Sequence, residues 1–190
     1  MTTAKGIDVS SWQHPSGAAI DWEQVKASGV TFVMVKATQG TDYTNPYANG
    51  PLAHDITDAL AAGLLVGAYH FARPGPDTAE AEAAYFLAAV EGLKLDMGLW
   101  LDLEDLGGKM PHEVVPYRDV FLTAIVTHNA LSGIYTDKSL VAQGLGAPAG
   151  SRLWLANPTP EPGDPESFIT QTGSGLVDGV TGSVDLDTLN

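Results

Sequence analysis

Apolar and polar positions along the chain follow two rhythms. Short, nearly continuous apolar runs rich in β-formers are each followed by a longer stretch with helical spacing. "GIDVSSW" (Gly6–Trp12) reads as a first strand. "DWEQVKASG" puts Trp22 and Val25 on one helical face, and Gly29 is a natural stop. "TFVMVKAT" (Thr31–Thr38) predicts a second strand, apolar enough to be buried on both faces. A helix over Leu52–Ala62 ends at Gly63, and "LLVGAYHFA" (Leu64–Ala72) predicts a third strand broken by "RPGP". Thr78–Val90 reads as an Ala-rich helix capped by Asp77 or Thr78.

The alternation continues with "GLWLDLE" (Gly98–Glu104) as a fourth strand and a long helix over Glu113–Ala130, with Pro116 near its start. Ser132–Asp137 is the fifth strand, and Arg152–Asn157 the sixth, followed by a Pro-rich loop to Pro165. Ser167–Thr172 and Gly182–Leu189 read as two closing strands around a Gly-rich turn. About eight strands result, the first five or so separated by helices. This is the layout of an α/β fold, a modified (β/α)8-type barrel with fewer helices in its C-terminal third. A full barrel usually needs about 250 residues and this chain has 190, so trimming is required. No internal repeat or linker interrupts the pattern, so one domain over residues 1–190 is expected.

Composition narrows the chemistry. A hydrophobic fraction of 44% suffices for a sizeable core, and a charged fraction of 17% is too low for a disordered chain. The net charge of -14, with nine scattered basic residues, argues against nucleic acid as a partner. With no cysteine there are no disulfides, thiolate metal sites or Cys nucleophile. "MTTAKGIDVSSW" lacks the apolar core of a signal peptide, and no run is long enough to span a membrane. The expectation is cytoplasmic synthesis as a monomer, without membrane insertion.

Carboxylates gather where such a barrel does its chemistry, at the C-terminal ends of the strands. Asp102 and Glu104 end the fourth strand, Asp8 lies in the first, and Asp185 and Asp187 lie in the last. Residues i and i+2 of a strand share a side, so Asp102 and Glu104 face one way, about 6.6 Å apart along the backbone. Strands one and eight adjoin in a closed barrel, which brings Asp8 towards Asp185. Crowded carboxylates raise one another's proton affinity, and glycosidases use that asymmetry. A solvated loop could carry the same acids, but the barrel context and the companion carboxylates favour a site.

The chain resembles glycoside hydrolase family 25, the lysozymes of Chalaropsis type found in phage endolysins and bacterial autolysins. The likeness rests on "GIDVSSWQ", "FVMVKATQG", "GAYHFA", "LDLED", "SGIYTD", "LWLAN", and "ITQTG" followed by "VDLDTL". It implies a trimmed barrel that cleaves the β-1,4 bond between N-acetylmuramic acid and N-acetylglucosamine in peptidoglycan. By this resemblance Glu104 matches the proton donor, and Asp102 matches its companion, either a nucleophile or the group orienting the substrate's N-acetyl. Asp8 and Asp185 match two further cleft acids. Three positions depart from the pattern: Gln39 stands where Glu is common, Asn157 where an aromatic is common, and Asp187 where Asn is frequent. The implied partner is the glycan strand of a bacterial wall, reached by phage-type release or another export route, with no cofactor or metal. Backbone spacing does not choose between nucleophile and inverting base. The substrate's own 2-acetamido group favours retention with substrate assistance.

Aromatic residues also fall near strand ends. Tyr69, Tyr135 and Trp154 are candidates to bind sugar, with Trp12 nearby, while Phe71 reads as packing. Gln13 and Gln171 could bond sugar hydroxyls or N-acetyl groups, and Arg73 could pair with a cleft acid or a substrate carboxylate. "HEVVP" at His112 lacks the second His of a zinc-protease helix, and "GSGLVDG" fits no phosphate-loop spacing. Two rival readings remain. A metal-dependent carbohydrate hydrolase or deacetylase predicts convergent His ligands, and only His70 sits at a strand end. A non-catalytic glycan-binding module predicts loss of the acid pair, and both acids are present.

Overall fold

The computed structural model describes residues 4–75, 77–157 and 167–190. Eight strands close a barrel: β1 (Ala4–Val9), β2 (Val30–Gln39), β4 (Leu65–Phe71), β5 (Leu99–Asp102), β6 (Gly133–Asp137), β7 (Arg152–Ala156), β8 (Ile169–Leu176) and β9 (Ser183–Leu189). A two-residue strand, β3 (Tyr43–Thr44), folds back antiparallel on the end of β2. β1 pairs with both β2 and β9, which closes the sheet. The trimmed barrel expected from the alternation is therefore the fold. Among the described residues its outer helices are α1 (Trp22–Ala27), α2 (Asp55–Ala61), α3 (Ala79–Ala89) and α4 (Pro111–Val126). Between β6 and β7 the helix shrinks to a turn at Lys138–Leu140 that runs into a π-turn, Val141–Leu145.

Seven strands run parallel, and β9 runs antiparallel to both of its neighbours. The six residues between β8 and β9 are too few for a crossover, so the pair must form a hairpin. β8 also extends four residues beyond the expected end at Thr172, because β9 pairs with it as far as Leu176. The first strand ends at Val9 instead of Trp12. Ser10 caps a 3-10 turn at Ser11–Gln13, its Oγ accepting from the Trp12 N–H. The helix expected from Leu52 begins at Asp55, because the Leu52 and Ala53 N–H groups donate to the Pro46 carbonyl. α4 is shifted to Pro111–Val126, which puts Pro116 well inside it and Pro111, whose missing N–H costs nothing there, at its first position. Thr78, not Asp77, caps α3. The loop leading to Pro165 lies outside the described residues.

Period-2 alternation splits the hydrophobic residues into two layers. Phe32, Met34, Tyr69, Trp100, Tyr135, Trp154 and Ile169 point into the barrel. Val33, Val35, Val66, Ala68, Leu99, Leu101, Ile134, Leu153 and Leu155 point outward under the helices. Two glycines make room for this packing. A Cβ on Gly6 would lie 2.2 Å from the Phe32 ring, and one on Gly133 would lie 2.0 Å from the Arg152 carbonyl oxygen. The Gly133 clash is with backbone and cannot be relieved by a rotamer. Gly133→Ala should therefore lower unfolding stability by about 1–3 kcal/mol, read from denaturant melts. Wild-type stability would refute this packing of β6 on β7.

Candidate active site

At the mouth the inward positions change character. Following each strand upward, apolar side chains give way to Asp8 on β1, Lys36 on β2, Phe71 on β4, Asp102 on β5, Gln171 on β8 and Asp185 on β9. Glu104 lies two residues past Asp102 and keeps the same facing. These groups line a cleft of about 340 Å³, with Tyr69, Tyr135 and Trp154 as its floor and Ser10, Trp12 and Gln13 at its rim. Asp8 and Asp185 are direct register partners, which β9 achieves by running downward from the mouth.

The acids differ in surroundings. Asp102 is 7% exposed, and its Oδ1 is buried with no hydrogen-bond partner. Burial, and then the Glu104 charge, push its carboxyl well above the usual range. Glu104 is exposed. Partial desolvation raises its proton affinity, Lys36 opposes that, and Asp137, Asp105 and Asp185 add to it. Burial and Asp185 push Asp8 up to about 7, against a 2.8 Å hydrogen bond donated by Gln171 Nε2. Asp185 is raised by burial. Asp187, deeper in the barrel, accepts the Trp154 indole N–H at 2.8 Å, and its other oxygen is buried without a partner. Burial and then the Asp8 charge raise its proton affinity well above the ordinary carboxyl range.

Several candidate binding residues are spent inside the protein. Tyr135 Oη donates to Gln171 Oε1 at 2.9 Å, so a Tyr135–Gln171–Asp8 chain orients one carboxylate. Gln13 Oε1 accepts the Ser10 N–H at 2.8 Å, and its Nε2 donates to the Ser183 carbonyl. This ties the Trp12 turn to β9. His14 fixes the other side of the turn through Asp55 at 2.7 Å and by stacking on Tyr47. Trp12 is left 86% exposed. Trp154 is buried, meeting Tyr69 and Tyr135 edge-on. Arg73 is exposed and lies outside the cleft lining, beside Gly40. Phe71, read from sequence as packing, lines the cleft. His70 faces outward, bonded to Thr38 and to the buried Glu82 at 2.7 Å each, and so brings no ligand to the cleft. Lys36 escaped the sequence reading. The signal was available: a Lys at an inward position of an otherwise apolar strand.

A closed barrel with carboxylates clustered at its mouth is the architecture of a glycoside hydrolase. Residues 7–171 match the model of glycosyl hydrolases family 25, and the chain belongs to that family. It is 32% identical to lysozyme M1 of Streptomyces globisporus, over 98% of this chain and 67% of that protein. It is 31% identical to the autolytic lysozyme of Clostridium acetobutylicum, over 96% of this chain. That match spans 55% of the relative's length. The crystal structure of a bacterial lysozyme from Streptomyces coelicolor superimposes with a TM-score of 0.82 at 28% identity, covering 100% of this chain and 93% of that one.

The acid cluster has a thermodynamic consequence. Asp8, Asp102, Asp185 and Asp187 hold protons in the fold that the unfolded chain gives up. Unfolding above the ordinary Asp value of 3.8 therefore releases protons, and stability falls as pH rises. For Asp8 the loss runs from about 3.8 to about 7. Asp187→Asn should match wild-type stability near pH 4 and exceed it increasingly towards neutrality. Denaturant melts across that range check this, and a constant gap at every pH would refute the raised proton affinity of Asp187.

Proposed function

We propose that this chain is a muramidase that hydrolyses the β-1,4 bond between N-acetylmuramic acid and N-acetylglucosamine in bacterial peptidoglycan. Family membership and the two lysozyme relatives support the substrate class. The observation that carries the mechanism is the unequal acid pair: a buried Asp102 with an unpartnered Oδ1, beside an exposed Glu104. A buried acceptor lacking a donor is costly, and a substrate amide N–H is the donor it lacks.

The pair then divides the work. In the free protein burial raises the proton affinity of both carboxyls, and Asp102 is the more buried of the two. An acetamido N–H donated to Asp102 stabilises its ionised form, while the sugar that covers Glu104 deepens that group's desolvation. Binding thus releases the Asp102 proton to solvent and leaves Glu104 protonated. Glu104 gives it to the glycosidic oxygen as the C1–O bond breaks. The acetamido carbonyl oxygen attacks C1 and forms an oxazoline-type intermediate, whose positive charge Asp102 offsets. Water then adds to C1, Glu104 takes its proton, and the C1–O bond to the acetamido group reopens. Asp8, held by Gln171, and Asp185 supply further negative potential to the cationic sugar. Trp12 offers an exposed aromatic face at the rim for a neighbouring ring.

Mass spectrometry of fragments released from purified peptidoglycan should show muramic acid at the reducing end. Glu104→Gln should lower kcat by about 10²–10⁴ with the fold intact. Asp102→Asn should be severely impaired without trapping a glycosyl-enzyme. Proton NMR of the fresh product should show the β-anomer first. An initial α-anomer would refute retention, and a covalent adduct on Asp102 would refute substrate assistance.

A further inference from the structure

Lys36 is the cation among the residues lining a cleft that holds Asp8, Asp102, Glu104 and Asp185. A lysine there would ordinarily pair with a carboxylate. Instead its Nζ donates to the neutral amide oxygen of Gln39 at 2.7 Å and sits 4.4 Å from the centre of the Phe71 ring. No carboxylate of the described residues is in ion-pair contact with it. Two uncharged neighbours therefore hold the ammonium in place and leave its field directed across the cleft.

We propose that Lys36 is the electrostatic positioning residue of the site, whose charge sets the pH window in which Asp102 is ionised while Glu104 keeps its proton. This rests on the division of labour between the two acids proposed above. The surroundings support the assignment. From its own strand Lys36 meets Gln39, and from β4 it meets Phe71, both neutral. Asp102 and Glu104 face it from the end of β5 and are its strongest charged neighbours. Arg73, beyond β4, opposes its charge more weakly. Asp8 from β1, Asp185 from β9 and the phenols Tyr69 and Tyr135 share the cleft, while β3 adjoins the end of its strand with Tyr43 and Thr44. Burial works against the ammonium, whereas Asp102 and Glu104 favour it. Reciprocally, its charge lowers the proton affinity of both acids.

The sign of its removal follows. Without the cation, Asp102 ionises only at higher pH, so the acidic limb of the activity profile moves up. Glu104 also keeps its proton to higher pH, so the alkaline limb moves up as well. A structural lysine would change the amplitude of the profile and leave its position alone.

The test is the pH profile of kcat on peptidoglycan, which reports the bound complex, for Lys36→Met, Lys36→Arg and Gln39→Glu, with 13C NMR titration of the Asp and Glu carboxyls in each free protein. Lys36→Met should displace both limbs to higher pH, with about tenfold loss on the acidic limb and a smaller loss at the new optimum. Lys36→Arg should keep the wild-type profile. Gln39→Glu, which hands the ammonium a carboxylate, should move both limbs the same way by less. The Asp102 and Glu104 titrations should rise in Lys36→Met and Gln39→Glu. A Lys36→Met profile lowered at every pH but not displaced would overturn the proposal, as would unmoved carboxyl titrations. If Lys36→Met does not fold, Gln39→Glu decides alone: a displaced profile supports the assignment and an undisplaced one overturns it. Should the wild type fail to cleave peptidoglycan, the muramidase reading falls, and the carboxyl titrations still decide the role of Lys36.

Discussion

Closure of the sheet through β1 is the constraint on which the site depends. β1 pairs with β2 on one side and β9 on the other, so the eight barrel strands have no free edge. Once closed, every second residue of every strand points at a common axis. The lower inward positions carry Phe32, Met34 and Trp100, which pack together inside the barrel. The upper ones carry Asp8, Lys36, Asp102 and Asp185, which converge above that floor. The same geometry that builds the core therefore crowds the acids and removes their water. Their raised proton affinities are the electrostatic result of closure.

This arrangement works against the stability of the fold. Asp102 and Asp187 each keep a buried oxygen without a partner, and burial raises the proton affinity of both carboxyls well above that of an exposed one. Proteins keep such frustration where chemistry needs it and offset it elsewhere. The offset lies in the wall around the cleft. Tyr135 and Gln171 hold Asp8. Outside the barrel Thr38, His70 and Glu82 form a buried chain, and Glu82 also accepts the Arg73 N–H at the end of β4. His70 is thus a strut between the sheet and α3, which is why a histidine at a strand end brings no ligand to the mouth.

Trimming changed how the last acid is delivered. In a regular barrel each mouth residue sits at the C-terminal end of a parallel strand. Here the hairpin of β8 and β9 replaces a helical crossover, and Asp185 comes from the first half of a descending strand. The hairpin also receives Gln13, so the turn presenting Trp12 is braced by the element that carries Asp185. The Trp12 turn and the strand carrying Asp185 are joined in this way, although they lie at opposite ends of the chain.

The sequence by itself determined the alternation of strands and helices, the barrel it implies and the inventory of acids, because these rest on local periodicity and on residue type. Asp102 and Glu104 were legible for that reason: two residues apart at the end of an apolar strand, they must share a face. Local pattern could not reveal the direction of β9, the start of α2 at Asp55 or the turn that replaces the end of the first strand. Those depended on a hairpin partner, on the Pro46 carbonyl and on the Ser10 side chain. Nor could it show that Gln171 is spent on Asp8, 163 residues away, or that Arg73 lies outside the cleft. Only the closed barrel decided those, because a side chain's partner is set by which strands adjoin in space, and adjacency across the closure is invisible along the chain.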